Sequence, residues 1–350
     1  MLTEAVRCHK GEGMDNLTHS LAGWALGQAG LKTKTRKGLA ALILGANMPD
    51  LDVFVGWVSW APLATHRGFT HSLVGGSILL PPVLAALLWL LDRWQIARGR
   101  HFRSGLPMHA GWLLALSYLG ALTHPLLDLQ TTYAVQLLSP FSTLWFHTET
   151  LFIIDIWVWV GLGFAIWLSR RRERSGGHWR RPALLGLAGL CAYVAVNGGI
   201  SLLARTALLA TPPHPVPDVM FASQQPALFW KRTLVWRENG MIGRASYDPL
   251  RSLKRVHDAQ PLVPDQMGDP LVRRAMTANR DIIQFMRWST MPMANVERHG
   301  CIAKVRFSDA RFGVPRPGSR FLREVPLTLP GRGCSGPGEA ERQGAFRAGR

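Results

Sequence analysis

The chain has 350 residues and carries 40 Lys+Arg against 22 Asp+Glu, a formal net charge of +18, while 47% of it is hydrophobic. That length suffices for two domains of ordinary size, and the basic clusters fall between apolar runs, which favours an anionic membrane surface over nucleic acid as the partner of the charge. Cys8, Cys191, Cys301 and Cys334 form no Cys-x-x-Cys pair, which excludes a zinc ribbon or dithiol redox motif and gives no clear disulfide framework.

Residues 1–16 are polar and lack the apolar core of a cleavable signal. Residues 17–31 are short and moderately apolar, a short span or a re-entrant helix. Residues 38–60 are apolar but broken by Asn47, Pro49, Asp50 and Asp52. The runs 72–91, 151–169 and 182–210 each approach the ~20 residues that a bilayer requires. A further run, 109–127, is nearly as apolar and contains His109 and His124. The competing reading is a soluble bundle with buried helices.

After residue 210 the composition changes. Residues 211–217 are a Pro-rich linker. Asn239-Gly240 between apolar and polar residues predicts a hairpin over 233–246. Residues 270–288 fit an amphipathic helix burying Leu271, Met276, Ile282 and Phe285. Residues 294–298, 302–308 and 320–327 alternate like strands. From about residue 329 the chain is rich in Gly, Arg and Ser and reads as disordered. The fold class expected is mainly α: a polytopic helical membrane bundle over 14–210, a small soluble α+β domain over 211–328, and a tail over 329–350.

The flanking charges predict an orientation. Lys32, Lys34, Arg36 and Lys37, then Arg93, Arg98, Arg100 and Arg103, then Arg170 to Arg172, Arg174, Arg180 and Arg181 all fall on one side if residues 17–31 also cross, as the positive-inside rule requires. The remaining loops then share the outer, periplasm-like side. They hold His19, Asp50, Asp52, His66, His71, His124, Asp128 and His147.

These His and Asp residues carry the chemistry. Thr-His-Ser-Leu occurs twice, at residues 18–21 and 70–73; Thr65-His66 precedes the second copy and Thr123-His124 opens the run to Asp128. Ionisable groups in apolar surroundings are costly unless paired or metal-bound. His124 and Asp128 are one helical turn apart, and Asp50 and Asp52 can share one ion or bridge two. Seven metal ligands result: His19, Asp50, Asp52, His66, His71, His124 and Asp128. A catalytic zinc takes three protein ligands and a water, so seven imply two ions or partners that orient the ligands. Zinc, manganese, iron and nickel all suit a mixed imidazole and carboxylate set.

Taken singly, each element has a plainer explanation: a buried His as a satisfied core residue, an Asp after Pro as a cap or turn residue, a Thr as a helix cap. Jointly they favour the metal. Glu149 and Asp155 are candidate general bases, Asp155 being equally a charge at a helix N-terminus. Arg67 either neutralises a substrate phosphate or pairs with an aspartate.

The motifs at Asp15-Asn-Leu-Thr-His19-Ser, Asn47-Met-Pro-Asp50-Leu-Asp52, His66-Arg-Gly-Phe-Thr-His71-Ser and Thr123-His124-Pro-Leu-Leu-Asp128, with Phe152-Ile-Ile-Asp155, resemble the YdjM/YfhP-like family of membrane-bound metal-dependent hydrolases. The resemblance covers roughly residues 14–170 and implies an integral membrane protein with a hydrolase activity of undefined substrate. It makes residues 1–13 an N-terminal extension. The expected function is thus an inner-membrane, multi-pass hydrolase that uses a metal-activated water on an ester or phosphoester of a lipid or small molecule, with one or two divalent ions, zinc or manganese. Membrane lipids are the expected surroundings, and the oligomeric state is open. The alternatives are a membrane metal-binding protein or transporter without catalysis, and a C-terminal domain acting as a basic module for anionic lipid or a partner.

Overall fold

A computed structural model describes residues 16–55, 66–102, 104–212, 215–317, 319 and 321–329; the side chains of residues 52–55 lie outside the described set. The expected extension over 1–13 and nearly all of the expected tail fall outside it too.

The chain divides into two compact units. The first holds the N-terminal region to Thr206 together with Ala222–Arg232 and Asp248–Lys254; the second holds Ala207–Phe221, Thr233–Tyr247 and the chain from Arg255 onward.

In the first unit, α1 (Asn16–Gln28) and α2 (Gly38–Asn47) are followed by a 3-10 stretch, Met48–Val55. A π turn, Gly75–Leu79, leads into α3 (Leu80–Ala97), and α4 (Ala110–Asp128), α5 (Ile156–Arg174) and α6 (Arg180–Leu209) follow. Among the described residues three helices are long and apolar enough to cross a membrane: Gly75–Ala97, Ala110–Asp128 and Arg180–Leu209. Their apolar side chains point outward in number, including Val83, Leu87 and Leu90 on α3 and Leu185, Val196 and Leu202 on α6. The run 151–169 is not helical throughout. Asp155 caps α5 by accepting from the backbone N–H of Trp157 and Val158, so the apolar part of the helix starts only at Ile156 and meets arginines from Arg170.

Small residues set how closely these helices approach. A Cβ on Gly23 of α1 would lie 2.6 Å from the carbonyl oxygen of Leu42, and one on Gly120 of α4 would lie 2.5 Å from the same atom. Gly45 of α2 meets the Ser117 carbonyl at 2.8 Å in the same sense. Ala25, Ala41, Ala46 and Ala121 are fully buried beside them. Close backbone approach through small residues is the packing that helices use where lipid removes the hydrophobic drive between them. It threads α2 between α1 and α4.

The basic loops meet at one end of this unit. Lys32 pairs with Glu173 at 2.6 Å, Arg36 with the fully buried Asp92 at 2.9 Å, and Arg36 and Lys37 lie over the Phe102 ring. The sequence grouped these loops from charge alone.

The C-terminal region carries two antiparallel sheets. β1 (Val219–Gln224), β2 (Arg232–Glu238), β3 (Met241–Tyr247) and β4 (Val263–Pro264) follow one another in the first; β5 (Pro292–His299), β6 (Ile302–Asp309) and β7 (Arg323–Thr328) form the second. Asn239 (φ 50°) and Gly240 (φ 71°) make the β2–β3 turn, both in the left-handed region that the tight hairpin demands. The expected helix over 270–288 is two helices, α7 (Pro270–Ala275) and α8 (Arg280–Trp288). The Asn279 side chain accepts from the Ile282 N–H and starts a new helix there. The buried face consists of Val272, Ala275, Ile282, Phe285 and Trp288, with Leu271 and Met276 half-buried. Cys301 is disulfide-bonded, although cysteine spacing gave no such framework, and Cys191 is free.

Candidate metal centre

Six of the seven predicted ligands come together at the end of the helical unit opposite its basic loops. His19 sits one turn into α1, Asp50 follows the C-terminus of α2, and His124 and Asp128 occupy the last turns of α4. His66 and His71 arrive on the segment before the π turn, where His71 ends a short 3-10 turn, Phe69–His71. All six are buried. The side chain of Asp52 lies outside the described residues.

The two Thr-His-Ser-Leu copies have different structures. The first lies within α1, where Thr18 Oγ1 accepts from Trp159 Nε1 at 2.8 Å and Ser20 Oγ accepts from Asn47 Nδ2 at 3.0 Å, pinning α1 to α2. The second is a turn. Its Ser72 Oγ donates to the Phe69 carbonyl and accepts from the Gly75 N–H. The turn folds back onto Gly75 and Gly76, where a Cβ would lie 2.0 Å from the Phe69 carbonyl oxygen and 2.2 Å from that of Thr70.

Hydrogen bonds fix which nitrogen of two imidazoles faces inward. The carbonyl of Ala46 can only accept, so the 2.7 Å contact to His124 Nδ1 places the proton on Nδ1 and leaves Nε2 bare. The Thr70 hydroxyl donates to the His66 carbonyl at 3.1 Å and so accepts from His71 Nδ1–H at 3.0 Å, leaving His71 Nε2 bare as well. Both bare nitrogens face the same oxygen, Asp50 Oδ1, at 3.0 Å from His71 and 3.2 Å from His124. With both imidazoles neutral, three acceptors converge in this buried space. Such a group repels itself unless a cation or a proton on one of the rings lies in it. Among the described residues, Asp50 Oδ2, Asp128 Oδ2, His124 Nε2 and His19 Nδ1 are buried without a hydrogen-bond partner.

The donors fall into two sets whose ligand atoms all lie within 4.8 Å of one another: His19, His124 and Asp128, and Asp50, His66 and His71. Three protein ligands each is the number a catalytic zinc uses. The sets adjoin, since His71 Nε2 is also 3.7 Å from Asp128 Oδ2. The His19 and His124 rings stack at 3.8 Å. The residues present thus fit a divalent cation by charge, donor type and tautomer.

Arg67 is buried and pairs with Asp128 Oδ1 at 3.1 Å, and its other terminal nitrogen donates to Thr131 Oγ1 at 3.0 Å. Of the two roles open to it, the structure displays the aspartate pairing. Thr131, which donates its own proton to the Asp128 carbonyl, completes this brace; its only trace in the sequence is a hydroxyl three residues beyond Asp128. The Ala46 carbonyl has no side-chain signal at all.

Asp155 lines a cleft shared with His19, Asp50, Arg67 and Asp128. Its carboxylate already accepts from the α5 backbone, from Tyr193 Oη at 3.1 Å and from Gln224 Nε2 at 2.9 Å. Glu149, fully buried with φ 60°, accepts from Arg205 at 2.9 Å and from the Ala222 N–H, and lies 3.2 Å from His147 Nδ1. Both acids thereby hold the returning strand 222–224. Arg232, at the other end of that return, is buried against the Asn197 carbonyl and side chain at 2.8 Å and Ser201 Oγ at 2.8 Å. Burial pushes its guanidinium down to about 10, which leaves it charged at neutral pH.

Apolar helices around a buried His/Asp cluster define a class of helical protein suited to a membrane. The family model of the YdjM inner membrane protein matches residues 14–202, more than half of the chain, and the chain belongs to that family. It is therefore an inner membrane protein. No curated protein and no solved structure matches it.

Proposed function

We propose that this protein is a multi-pass, metal-dependent hydrolase of the inner membrane that cleaves an ester or phosphoester of a lipid or small molecule. The observation that carries the reading is the pair of Nε2 atoms of His71 and His124, turned inward by hydrogen bonds at Nδ1 and set against Asp50 Oδ1. His19, Asp50, His66, His71, His124 and Asp128 would hold one or two ions, with zinc or manganese suited to the donor set. A divalent cation held there would supply Lewis acidity and lower the pKa of water toward neutrality.

The chain's own residues do the rest. Ala46 and Thr70 aim the imidazoles, and outer partners of this kind raise ligand basicity as well as orienting the ring. Arg67 offsets the charge of Asp128, so the site without a cation carries one net negative charge from Asp50, Asp128 and Arg67. The cleft between α1, the end of α4 and residues 151–155 gives access from one side. Grouping at one end of the helical unit favours reaction over transport, for which ionisable groups would be strung along the bilayer.

The orientation proposed puts this centre on the periplasm-like face, away from the basic loops. The disulfide at Cys301 fits an oxidising compartment for the C-terminal region.

The test is elemental analysis of detergent-purified protein, followed by phosphoester and carboxyl-ester substrates with and without chelator. One or two ions per chain and chelator-sensitive turnover are expected. Absence of any bound metal at full helicity would overturn the proposal. Metal without turnover, combined with ion flux in proteoliposomes, would replace it by the transport reading.

A further inference from the structure

A second feature lies at the other end of α5. An open groove runs between α1 and α5, floored by Leu21, Trp24, Ile166 and Trp167. It encloses about 1180 Å³, counting the part open to the surroundings, which is room for a chain and not merely a small anion. Arg170, Arg171 and Arg174 line its mouth. Asp155, at the N-terminus of α5, lines the metal cleft, and the 19-residue helix is about 28 Å long, so the groove is a separate site.

Three observations say what fits it. The guanidinium of Arg170 lies 5.3 Å from the Trp24 ring centroid and that of Arg171 lies 5.6 Å from that of Trp167, so both cations rest on the groove's own aromatics. Among the described residues none of the three arginines has a carboxylate partner; the nearby Glu173 is taken by Lys32. A Cβ on Gly163 in the groove floor would meet nothing within 4 Å, so the space above the helix is open. Apolar length below, two tryptophans at the boundary and three unpaired arginines at the mouth match the three zones of a lipid: acyl chain, glycerol level and anionic head. Arginine forks bind phosphate oxygens in pairs.

We propose that this groove is a binding site for an anionic phospholipid, its acyl chain along Leu21, Trp24 and Ile166 and its phosphate at Arg170, Arg171 and Arg174. The site is independent of the metal reading and stands whether or not the protein is a hydrolase. A protein partner is less suited, because the groove belongs to the apolar surface that an inner membrane protein offers to lipid.

The test uses the full chain in mild detergent, titrated with phosphatidylglycerol or phosphatidylcholine of the same acyl chains and read by native mass spectrometry. Phosphatidylglycerol should be retained over phosphatidylcholine by at least about tenfold, as several basic side chains at about fivefold each imply. The triple variant R170Q/R171Q/R174Q should bring the two lipids to parity. Gly163→Leu keeps every charge and fills the groove, and it should also lower phosphatidylglycerol retention. The control R93Q/R98Q/R100Q removes as much charge from another basic loop and should leave the preference intact. Parity in the wild type, equal loss in the control, or full retention in Gly163→Leu would each overturn the proposal. Melting temperatures of all variants show whether they are folded.

Discussion

The Nδ1–H of His124 points at the carbonyl oxygen of Ala46 from 2.7 Å, across the contact between α4 and α2. This one bond depends on how closely the two helices approach, and it decides which nitrogen looks into the candidate metal centre. Packing and chemistry are thereby linked through Gly120 and Gly45, neither of which has a side chain to offer a cation. Gly120→Ala places a methyl group 2.5 Å from the Leu42 carbonyl oxygen and must push the helices apart. We expect purified Gly120→Ala to keep its helical content and to lose most of its bound metal. Wild-type metal stoichiometry in this variant would break the link.

Thr70 tests the aim of His71 without removing a ligand. Thr70→Val keeps the shape and deletes the hydroxyl that accepts from His71 Nδ1–H. Loss of such an orienting partner typically costs ~10–100-fold in metal affinity. Titration with a competing chelator should find that loss in Thr70→Val and near wild-type affinity in Thr70→Ser. Equal affinities in all three proteins would show that the hydroxyl does not set the tautomer.

Asp155 can be tested for two roles at once. As an N-cap it accepts from Trp157 and Val158, and asparagine caps as well as aspartate does, whereas alanine costs about 0.5–2 kcal/mol. As a proton carrier it needs its charge. With four donors already on the carboxylate, we expect Asp155→Asn to retain melting temperature and most turnover, and Asp155→Ala to lower the melting temperature. A stable Asp155→Asn with no turnover would make the acid a participant in the chemistry.

The site was legible because its residues are costly where they stand. Imidazoles and carboxylates inside apolar runs, repeated with threonine beside them, have few uses, and His19, Asp50, His66, His71, His124 and Asp128 do meet. What supports them was not legible. A backbone carbonyl such as Ala46 has no sequence signature. Glu149 and Asp155 stand beside the metal motifs in sequence, yet receive Ala222 and Gln224 from some seventy residues away, a pairing that no local pattern encodes. The hairpin at Asn239-Gly240 could be read because two left-handed residues in a row need those side chains. The break between α7 and α8 was missed because the period of buried residues runs nearly in phase across it, and only the Asn279 cap marks it.

The C-terminal unit has its own buried ion pair, and pH probes it. Arg311 grips Asp309 with Nε on Oδ1 at 2.9 Å and a terminal nitrogen on Oδ2 at 2.8 Å, and Ser289 Oγ donates to Oδ2 at 2.6 Å. Both side chains of the pair are 0% exposed. Burial pushes the Asp309 carboxyl up, but the Arg311 guanidinium and the hydrogen bonds outweigh it and hold the group below its ordinary value. A carboxyl depressed on folding stabilises above its unfolded value, near 3.9, and that stability is lost as pH falls through the lower folded value. Amide protection in β5, β6 and β7, taken relative to the intrinsic exchange rate at each pH, should therefore hold at neutral pH and fall only in strong acid. Arg311→Met removes the partner and leaves a buried carboxylate unpaired, which typically costs about 3–5 kcal/mol. The same strands should then exchange faster already at neutral pH and become slower again, relative to that level, when Asp309 is also changed to Asn. If the double variant exchanges as fast as Arg311→Met alone, the unpaired charge is not what destabilises the sheet.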